Sequence, residues 1–516
     1  MALLHFPYFT TQHFRFPWKG ILIGIVVGTF SVVMAAERSA VTKTTPYFEI
    51  VQRSVDTLLE NALDTAGEQR SGMILSVLDR KTGRPLTTLP KAPSGVRKGD
   101  RTGPGGSNAN LQQDLYRVLD HLSRVTGDKR YAEASRLAVL DFARITQSPV
   151  TGFFAWGEHL YWNCLEDRLG DLDPNGTHEP KRKFITYPLL LKEDPERALR
   201  YARGLWDHQI ADKVTGEFSR HAKYAKHAPG RGYDFAKEGG FFIDTWSQAY
   251  AQSRDDVFRE AVAVLARRYL GKMNQRNLMN FDSTNQPGRV NLCWTEWMVA
   301  LATECHDAAQ RMDPVTADLL RTLADRQDQG FLGLEHAPDD SNRGFIMLAF
   351  TDSGKVRPDE PRKTTGYSQP WGLGYGLNTS AMFALLANTR QAQLGDGPKG
   401  DAYRRLLLET AAIYQRTPPD PLKNDLWAGE YGMAIMVELA AYRLTGKADY
   451  LSSARTIADA ALIAFWGNDG RLPRASTQAD YYDVISYADT LLLALLALHE
   501  QVTGKSLEVP LSDLIR

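Results

Sequence analysis

Apolar residues recur at helical spacing in several stretches of the chain, and each stretch follows a polar turn that contains glycine or aspartate. The pattern is clearest in residues 444–462, where the apolar positions are Tyr450, Ala454, Ile457, Ala458, Ala461 and Leu462. Comparable stretches occupy residues 125–144, 193–210 and 253–270. A period of three to four residues is typical of an amphipathic helix, and the turn residues favour a helix boundary. The chain is therefore predicted to be rich in α-helices.

These helices are predicted to form antiparallel pairs. Residues 111–125 and 431–444 show the same helical pattern and precede the first and the last of the stretches by one turn. A pair of about 50 residues cannot bury its apolar faces alone, so the pairs must stack. Long loops rich in aromatic residues and glycine separate the pairs, which favours an all-α (α/α) toroid whose loops surround a central cleft. Residues 73–89 predict a small β-hairpin before the toroid.

The first 36 residues differ from the rest of the chain. Arg15 and Lys19 precede the apolar run GILIGIVVGTFSVVM, and the small residues Ala35 and Ala36 follow it. A basic region, a short apolar core and small residues at the exit are typical of a secretory signal peptide. A retained membrane anchor is the alternative, because the run is only slightly shorter than a membrane span. Both interpretations predict an exported protein, periplasmic or secreted, with a single toroid domain over residues 37–516.

Composition and charge narrow the classes of partner. The 516 residues include 61 basic and 61 acidic side chains, and the sequence pI is about 7.2. This balance gives no reason to expect nucleic acid as a partner, and membrane contact is expected only if the N-terminal segment is retained. A local basic pocket for an acidic substrate is compatible with it.

Three short motifs carry side chains suited to metal binding. His159 lies in WGEHLYW, Glu179 lies in THEPK, and Arg220 and His221 are adjacent in FSRHAKY. Two imidazoles and one carboxylate are a suitable ligand set for a divalent transition metal, with positions left open for a substrate. The residues alone leave a second interpretation open, in which these histidines only stabilise the fold.

The same motifs resemble those of polysaccharide lyase family 2, the pectate lyases built on an (α/α) toroid. The stretches that carry the resemblance are SNANLQQDLYRVLDHLSRVTGD (107–128), HEPK (178–181), Trp206 with His208, SRH (219–221) and VISYADTLLLALLAL (484–498). The resemblance implies a toroid that cleaves pectate or a related uronate polymer by β-elimination. It also implies that His159, Glu179 and His221 bind the metal and that Arg220 is the catalytic base. Manganese is the implied metal, with cobalt, nickel and calcium as alternatives.

The chemistry of a uronate gives a reason for these residue types. Its C5 proton lies next to the C6 carboxylate, so removal of that proton concentrates negative charge on the carboxylate. A metal ion bound there stabilises the charge, and a base must lie within about 3 Å of C5. Guanidinium groups are normally protonated, so Arg220 is open to two interpretations: the base itself, or a clamp for the developing charge beside another base.

Several further residues are predicted to contact the substrate. Aromatic rings can stack on sugar rings, and cationic side chains can pair with carboxylates. The candidates are Lys181, Arg231, Trp371, Tyr481, Tyr482 and Arg474. Either of the two adjacent tyrosines is also a candidate for the acid that protonates the leaving oxygen. Packing between helix pairs is the competing explanation for each aromatic residue.

Two other functions are open at this point. A glycoside hydrolase on the same toroid would use paired carboxylates, for which Asp244, Asp282 and Glu296 are candidates because each lies near aromatic residues. A non-catalytic sugar-binding protein would use the aromatic loops alone. The resemblance favours a metal-dependent lyase that acts on polygalacturonate or a related acidic polysaccharide.

Overall fold

The computed structural model describes residues 44–170, 176–358, 366–373, 379–504 and 508–511. The predicted N-terminal signal or anchor, residues 1–36, lies outside these ranges. Among the described residues, we find no helical segment with the length and hydrophobicity of a membrane span. Residues from Thr44 onward form one compact unit.

Helices make up most of the regular structure, and short paired strands lie in the loops between them. The helices are α1 (Pro46–Asn61), α2 (Gln113–Thr126), α3 (Lys129–Thr146), α4 (Tyr187–Glu193), α5 (Pro195–Gly204), α6 (Ala236–Ser253), α7 (Asp256–Lys272), α8 (Thr295–Ala309), α9 (Pro314–Leu332), α10 (Ser380–Leu394), α11 (Pro398–Arg416), α12 (Ala428–Thr445), α13 (Ala448–Ala461) and α14 (Ala488–Thr503). The strands are β1 (Val77–Leu78), β2 (Gly106–Ser107), β3 (Trp162–Asn163), β4 (Arg168–Leu169), β5 (Thr177–His178), β6 (Ile210–Asp212), β7 (Glu217–Phe218), β8 (Ala222–Lys223), β9 (Leu292–Trp294), β10 (Leu348–Phe350) and β11 (Tyr482–Asp483).

The helix boundaries follow the turn chemistry expected from the sequence. Gly127 ends α2 with a φ of 75°, and the side chain of Asp128 accepts a backbone hydrogen bond at the start of α3. Gly446 ends α12 in the same way, with a φ of 68°. Such left-handed positions favour glycine because it has no Cβ. The buried residues of α13 are Ala454, Ile457, Ala458 and Ala461, as the apolar pattern predicted.

The helices form an outer layer around an inner ring. In it, α6 packs against α8, α8 against α10, α10 against α12, α12 against α14, and α14 against α2. Each of α2, α6, α8, α10 and α12 also packs against the next helix along the chain, and α1 packs against α14. Helices α12 and α14 are buried on nearly all sides, as expected for helices at the centre of a protein. The predicted all-α (α/α) toroid is therefore confirmed.

Glycine allows α12 and α14 to approach closely. A Cβ on Gly432 would lie 2.8 Å from the Cα of Leu491, and a Cβ on Gly429 would lie 2.9 Å from the carbonyl oxygen of Ser486. Real Cβ atoms do not approach other heavy atoms this closely, so this packing requires glycine at both positions. The contact places the N-terminal ends of the two helices side by side.

Five of these six inner helices, all except α10, begin with buried acidic residues. Their first turns contain Asp114 in α2, Glu238 in α6, Glu296 in α8, Glu430 in α12 and Asp489 in α14. The partial positive charge at a helix N-terminus stabilises a carboxylate there. The segment between α3 and α4, which carries His159 and Glu179, and the segment before α6, which carries Arg220 and His221, form the candidate site described below.

The segment predicted to form a β-hairpin, residues 73–89, does so only at its turn. The backbone N–H of Asp79 donates to the carbonyl oxygen of Arg84 across this turn. The strand before the turn, β1, pairs instead with β11 near the other end of the chain, with Val77 opposite Asp483. Pairing between residues this far apart in sequence leaves no trace in the local pattern of either segment.

Glu438, in the middle of α12, allows a test of how burial affects the stability of this fold. The side chain is fully buried, and one of its oxygens accepts a hydrogen bond from Gln415 at 3.3 Å. Burial raises the pKa of Glu438 to about 8. The folded state therefore keeps a proton that the unfolded chain releases above about pH 4.3, so stability is lost as the pH rises from there towards 8.

We expect Glu438→Gln to stabilise the protein at pH 8 and to change little at pH 5, because an amide does not ionise. The gain at pH 8 should be a few kcal/mol, at about 1.4 kcal/mol for each unit of pKa shift. Urea unfolding at both pH values measures it, with Glu133→Gln as a surface control. Equal effects of Glu438→Gln at the two pH values would contradict this account.

Candidate metal centre

Three loops bring His159, Glu179 and His221 together. One ligand atom from each lies within 4.8 Å of the others. The Oε2 atom of Glu179 lies 2.9 Å from Nε2 of His221 and 3.2 Å from Nε2 of His159. Glu179 is fully buried, whereas the side chains of the two histidines are partly exposed. The three residues that the sequence suggested as metal ligands come from separate motifs, and the structure brings them together.

Backbone pairing sets the positions of these residues. Strands β5 and β8 pair so that His178 lies opposite Ala222, which places Glu179 beside the segment that carries Arg220 and His221. A parallel bridge joins Gly157 to Glu179, and the Glu158 backbone N–H donates to the Glu179 carbonyl at 2.9 Å. The segment of His159 and the segment of His221 thus lie on either side of Glu179.

The atoms that face one another at the centre suit a cation. Oε2 of Glu179 and Nε2 of His221 are both buried, and neither has a hydrogen-bond partner. Burial and the adjacent Arg220 lower the pKa of His221 to about 4, so its ring is neutral at neutral pH. Nδ1 of His159 lies 3.1 Å from the Gly99 carbonyl oxygen, which accepts its proton and leaves the Nε2 lone pair directed at the centre. Two nitrogens and one oxygen therefore fit a divalent transition metal.

Arg220 lies against the same carboxylate. Its Nη1 forms an ion pair with Oε1 of Glu179 and lies 3.6 Å from Oε2 of Glu158. The guanidinium carbon lies 4.7 Å from the centre of the Phe235 ring, and the backbone N–H donates to the Tyr233 carbonyl at 2.8 Å. Two carboxylates and one aromatic face therefore fix the orientation of the guanidinium beside the candidate ligands.

Glu158 is a central residue that the sequence analysis missed. It pairs with Arg97 and with Lys181, whose Nζ lies 2.7 Å from Oε2 of Glu158. Burial by itself would raise the pKa of Glu158, but the surrounding cations, with Lys181 and Arg220 foremost, hold it well below its ordinary value. Its position directly before His159 was the available signal, whereas its contact with Arg97 could not be read from the sequence.

Lys237, at the start of α6, is a second residue that the sequence analysis missed. It is almost fully buried, with its Nζ 3.3 Å from Oε1 of Glu238 and 5.9 Å from the centre of the Trp297 ring. Burial lowers the pKa of Lys237. Its amino group interacts electrostatically with Glu158 and Arg220, so it belongs to the charged lining of this site.

Only one of the predicted substrate-binding cations lies in the site. Lys181 contacts Glu158, as described above. Arg231 is exposed and pairs with Glu217. Arg474 pairs with Asp480 at 3.3 Å. Among these three cations, only Lys181 contacts a residue of the site, namely Glu158.

The aromatic residues predicted to contact the substrate are buried and pack within the fold instead. Trp371 donates to the Thr417 carbonyl at 2.8 Å, and its ring packs against other aromatic rings. Tyr482 is completely buried and donates to Asp489. Tyr481 is also buried, with Arg101 donating to its hydroxyl at 2.9 Å. Their rings offer no free face to a sugar, which corrects the sequence-based interpretation of these three residues.

The carboxylates proposed for a hydrolase are occupied elsewhere in the fold. Asp244 accepts from Arg311 at 2.8 Å, and Asp282 accepts from Arg289 at 2.9 Å. Glu296 is completely buried in the first turn of α8. Asp244 and Asp282 thus belong to separate ion pairs rather than to one acid–base pair.

Gly157 offers a test of the backbone geometry at this centre. It has a φ of 104°, and a Cβ there would collide with the Glu179 carbonyl oxygen. We expect Gly157→Ala to move His159 away from Glu179 and to weaken Co²⁺ binding by roughly 10-fold or more, measured by visible absorption during titration.

Gly127→Ala is the matched control for this experiment. Gly127 also has a positive φ, of 75°, but a Cβ there would meet no other atom. It should cost roughly 1 kcal/mol of stability without changing Co²⁺ affinity. Equal affinities in the two variants would show that Gly157 does not control the ligand geometry.

Comparisons with known proteins agree with the motifs at this site. Residues 92–276 match the family described as periplasmic pectate lyase. The pectate disaccharide-lyase of Dickeya dadantii (strain 3937) is 27% identical over 123 residues, which are 23% of this chain and 22% of that protein. The aligned region thus spans about a fifth of the length of that relative.

Solved structures with a similar course of the chain include several sugar-active proteins. An unsaturated glucuronyl hydrolase specific for heparin has a TM-score of 0.46 and 11% identity, over 88% of this chain and 97% of that one. A family 76 α-mannanase from Bacteroides thetaiotaomicron has a TM-score of 0.44 and 10% identity, over 89% and 98%. The region that is similar to the periplasmic pectate lyases contains all three candidate ligands and Arg220.

Proposed function

We propose that this protein is a metal-dependent polysaccharide lyase that cleaves polygalacturonate or a related uronate polymer by β-elimination. The observation that carries the proposal is the meeting of His159, Glu179 and His221 with the guanidinium of Arg220 at one carboxylate. The match to the periplasmic pectate lyases supports the reaction class. Export of the protein remains a prediction from the first 36 residues.

The residues of the site have distinct roles in this proposal. His159, Glu179 and His221 would hold a divalent ion, with manganese as the first candidate. Bound there, the ion would supply positive charge to the C6 carboxylate of the substrate, which stabilises the charge that develops as the C5 proton leaves. In its neutral, deprotonated form Arg220 takes the C5 proton and becomes a guanidinium; as the double bond forms between C4 and C5, the bond from C4 to the leaving oxygen breaks. Water protonates the leaving oxygen.

The charged lining favours an acidic polymer. Arg97, Lys181, Arg220 and Lys237 surround the centre, and the carboxylates they face are Asp100, Glu158, Glu179 and Glu238. These charges balance, so a bound divalent ion gives the site a net positive charge. A polyanion is attracted to such a site more strongly than a neutral glycan.

Lyase activity can be measured directly. We expect purified protein with polygalacturonate and Mn²⁺ to produce the ultraviolet absorbance of a 4,5-unsaturated product, and we expect a chelator to abolish it. Readdition of Mn²⁺ should restore the rate. Saturated reducing ends without that absorbance would favour the hydrolase, and binding without turnover would favour a sugar-binding protein. Cleavage of another uronate polymer alone would keep the mechanism and change the substrate.

Substitution of the base and of a ligand should separate their two roles. Arg220→Ala should lower kcat by about 100- to 10,000-fold while Co²⁺ still binds, because a proton-transfer group is lost but the ligands remain. His221→Ala should lower both activity and Co²⁺ affinity.

His227→Ala is the control, since His227 is an exposed histidine six residues away that hydrogen-bonds to His208. It should retain both properties. Retention of full activity by Arg220→Ala would exclude Arg220 as the base.

A further inference from the structure

Three buried amide side chains contact the backbone of the segments that carry the candidate ligands. These amides are Asn108, Asn110 and Gln209, which we call the amide trio, and none of them is more than 2% exposed. Asn108 and Asn110 lie just before α2, and Gln209 lies at the end of a π-helical turn that continues α5. The trio therefore connects helical parts of the toroid to the loops of the site.

Asn108 holds the loop that carries His159. Its Oδ1 accepts from the Gly157 backbone N–H at 3.1 Å. Its Nδ2 donates to the carbonyl oxygens of Gly157 at 2.8 Å and of Leu160 at 3.3 Å. These bonds bracket His159 on both sides, so the course of its backbone is fixed relative to the start of α2.

Asn110 holds the segment that follows Glu179. Its Oδ1 accepts from the backbone N–H groups of Lys181 at 2.7 Å and Arg182 at 3.0 Å. Its Nδ2 donates to the Arg182 carbonyl at 2.9 Å. This amide thus uses both its donor and its acceptor on one short stretch of backbone, as the other asparagine does.

Gln209 holds the segment that carries Arg220 and His221. Its Nε2 donates to the carbonyl oxygens of Ser219 at 2.7 Å and Arg220 at 2.9 Å. Its Oε1 lies 3.4 Å from Nδ1 of His178, whose Nε2 accepts from Trp156 at 3.3 Å. Because the indole N–H of Trp156 donates to Nε2 of His178, that nitrogen is unprotonated. The proton of the imidazole therefore lies on Nδ1 and points to the amide oxygen of Gln209. That arrangement leaves both amide protons free for the two carbonyls.

The geometry points to the amide trio as a set of positioning residues, with Gln209 setting where Arg220 and His221 lie relative to Glu179. This inference rests on the metal centre of the proposed function but not on the lyase reaction. Groups that orient ligands in this way commonly change metal affinity by about 10- to 100-fold when they are altered. The loops have little regular structure of their own, so side chains from helical elements must supply the precision that a site requires.

An amide is required at these positions because the backbone presents both carbonyls and N–H groups. A carboxylate at position 209 would place an oxygen against the two carbonyl oxygens that Nε2 now contacts, which is repulsive in a buried site. Gln209→Glu therefore keeps the shape and removes the donors, and Gln209→Met keeps the length without any polar atom. Gln327→Glu is the matched control, because Gln327 is an equally buried glutamine on α9, where its Nε2 donates to Met273.

Two measurements on the full chain test the inference. Hydrogen exchange of the peptide 215–224 is measured without metal, and Co²⁺ is titrated into each variant while its visible spectrum is recorded. We expect both Gln209 variants to show several-fold faster exchange in this peptide, a Co²⁺ affinity lower by about 10- to 100-fold and an altered Co²⁺ spectrum. Gln327→Glu should match the wild-type protein in both measurements, although its unfolding temperature should fall.

Each other result has a definite meaning. Wild-type exchange in the Gln209 variants overturns the inference. Faster exchange with an unchanged Co²⁺ affinity and spectrum also overturns it, because the amide would then serve the fold alone. An equal loss of Co²⁺ affinity and of exchange protection in Gln327→Glu also overturns the inference, because the effect would then come from burying a charge anywhere in the protein. If wild-type protein binds Co²⁺ but cleaves no uronate polymer, the proposed reaction fails while the positioning role stands.

Discussion

Burial of the Glu179 carboxylate is the constraint on which the candidate site depends. A charge that is removed from water is costly unless opposite charge and polar groups surround it. Arg220 pairs with one oxygen, and the other oxygen faces the imidazole nitrogens of His159 and His221. The same carboxylate therefore favours a guanidinium on one side and a metal ion on the other. That arrangement brings the proposed base and the proposed metal ligands into one small volume.

The toroid makes this arrangement possible because its inner helices hold the ends of the loops. Packing of α14 against α2 brings together helices from opposite ends of the chain, and glycine at positions 429 and 432 allows α12 to approach α14 closely. Phe235, directly before α6, lies under the guanidinium of Arg220, and Asn108 and Asn110 precede α2. Rigid helices thus position segments that would otherwise be free to move.

Local patterns in the sequence predicted the helices well. Each helix is specified by apolar residues at helical spacing and by glycine or aspartate at its ends. These residues lie close together in the chain, so each stretch contains the information that predicts its own helix. The candidate ligands were found by resemblance rather than by spacing, because they come from three separate loops. Glu158 and Lys237 were missed, since their importance arises from contacts with Arg97 and Trp297 that lie far away in sequence.

The sequence by itself determined an all-α toroid and three motifs with the right side chains for a metal centre. Only the tertiary structure decided which side chains meet there. It brought Lys181 into the site, and it buried Trp371 and Tyr482 in the packing between helices. The physical reason is that helix formation depends on neighbours along the chain, whereas the environment of a loop residue depends on which distant backbone segments pack and pair against it.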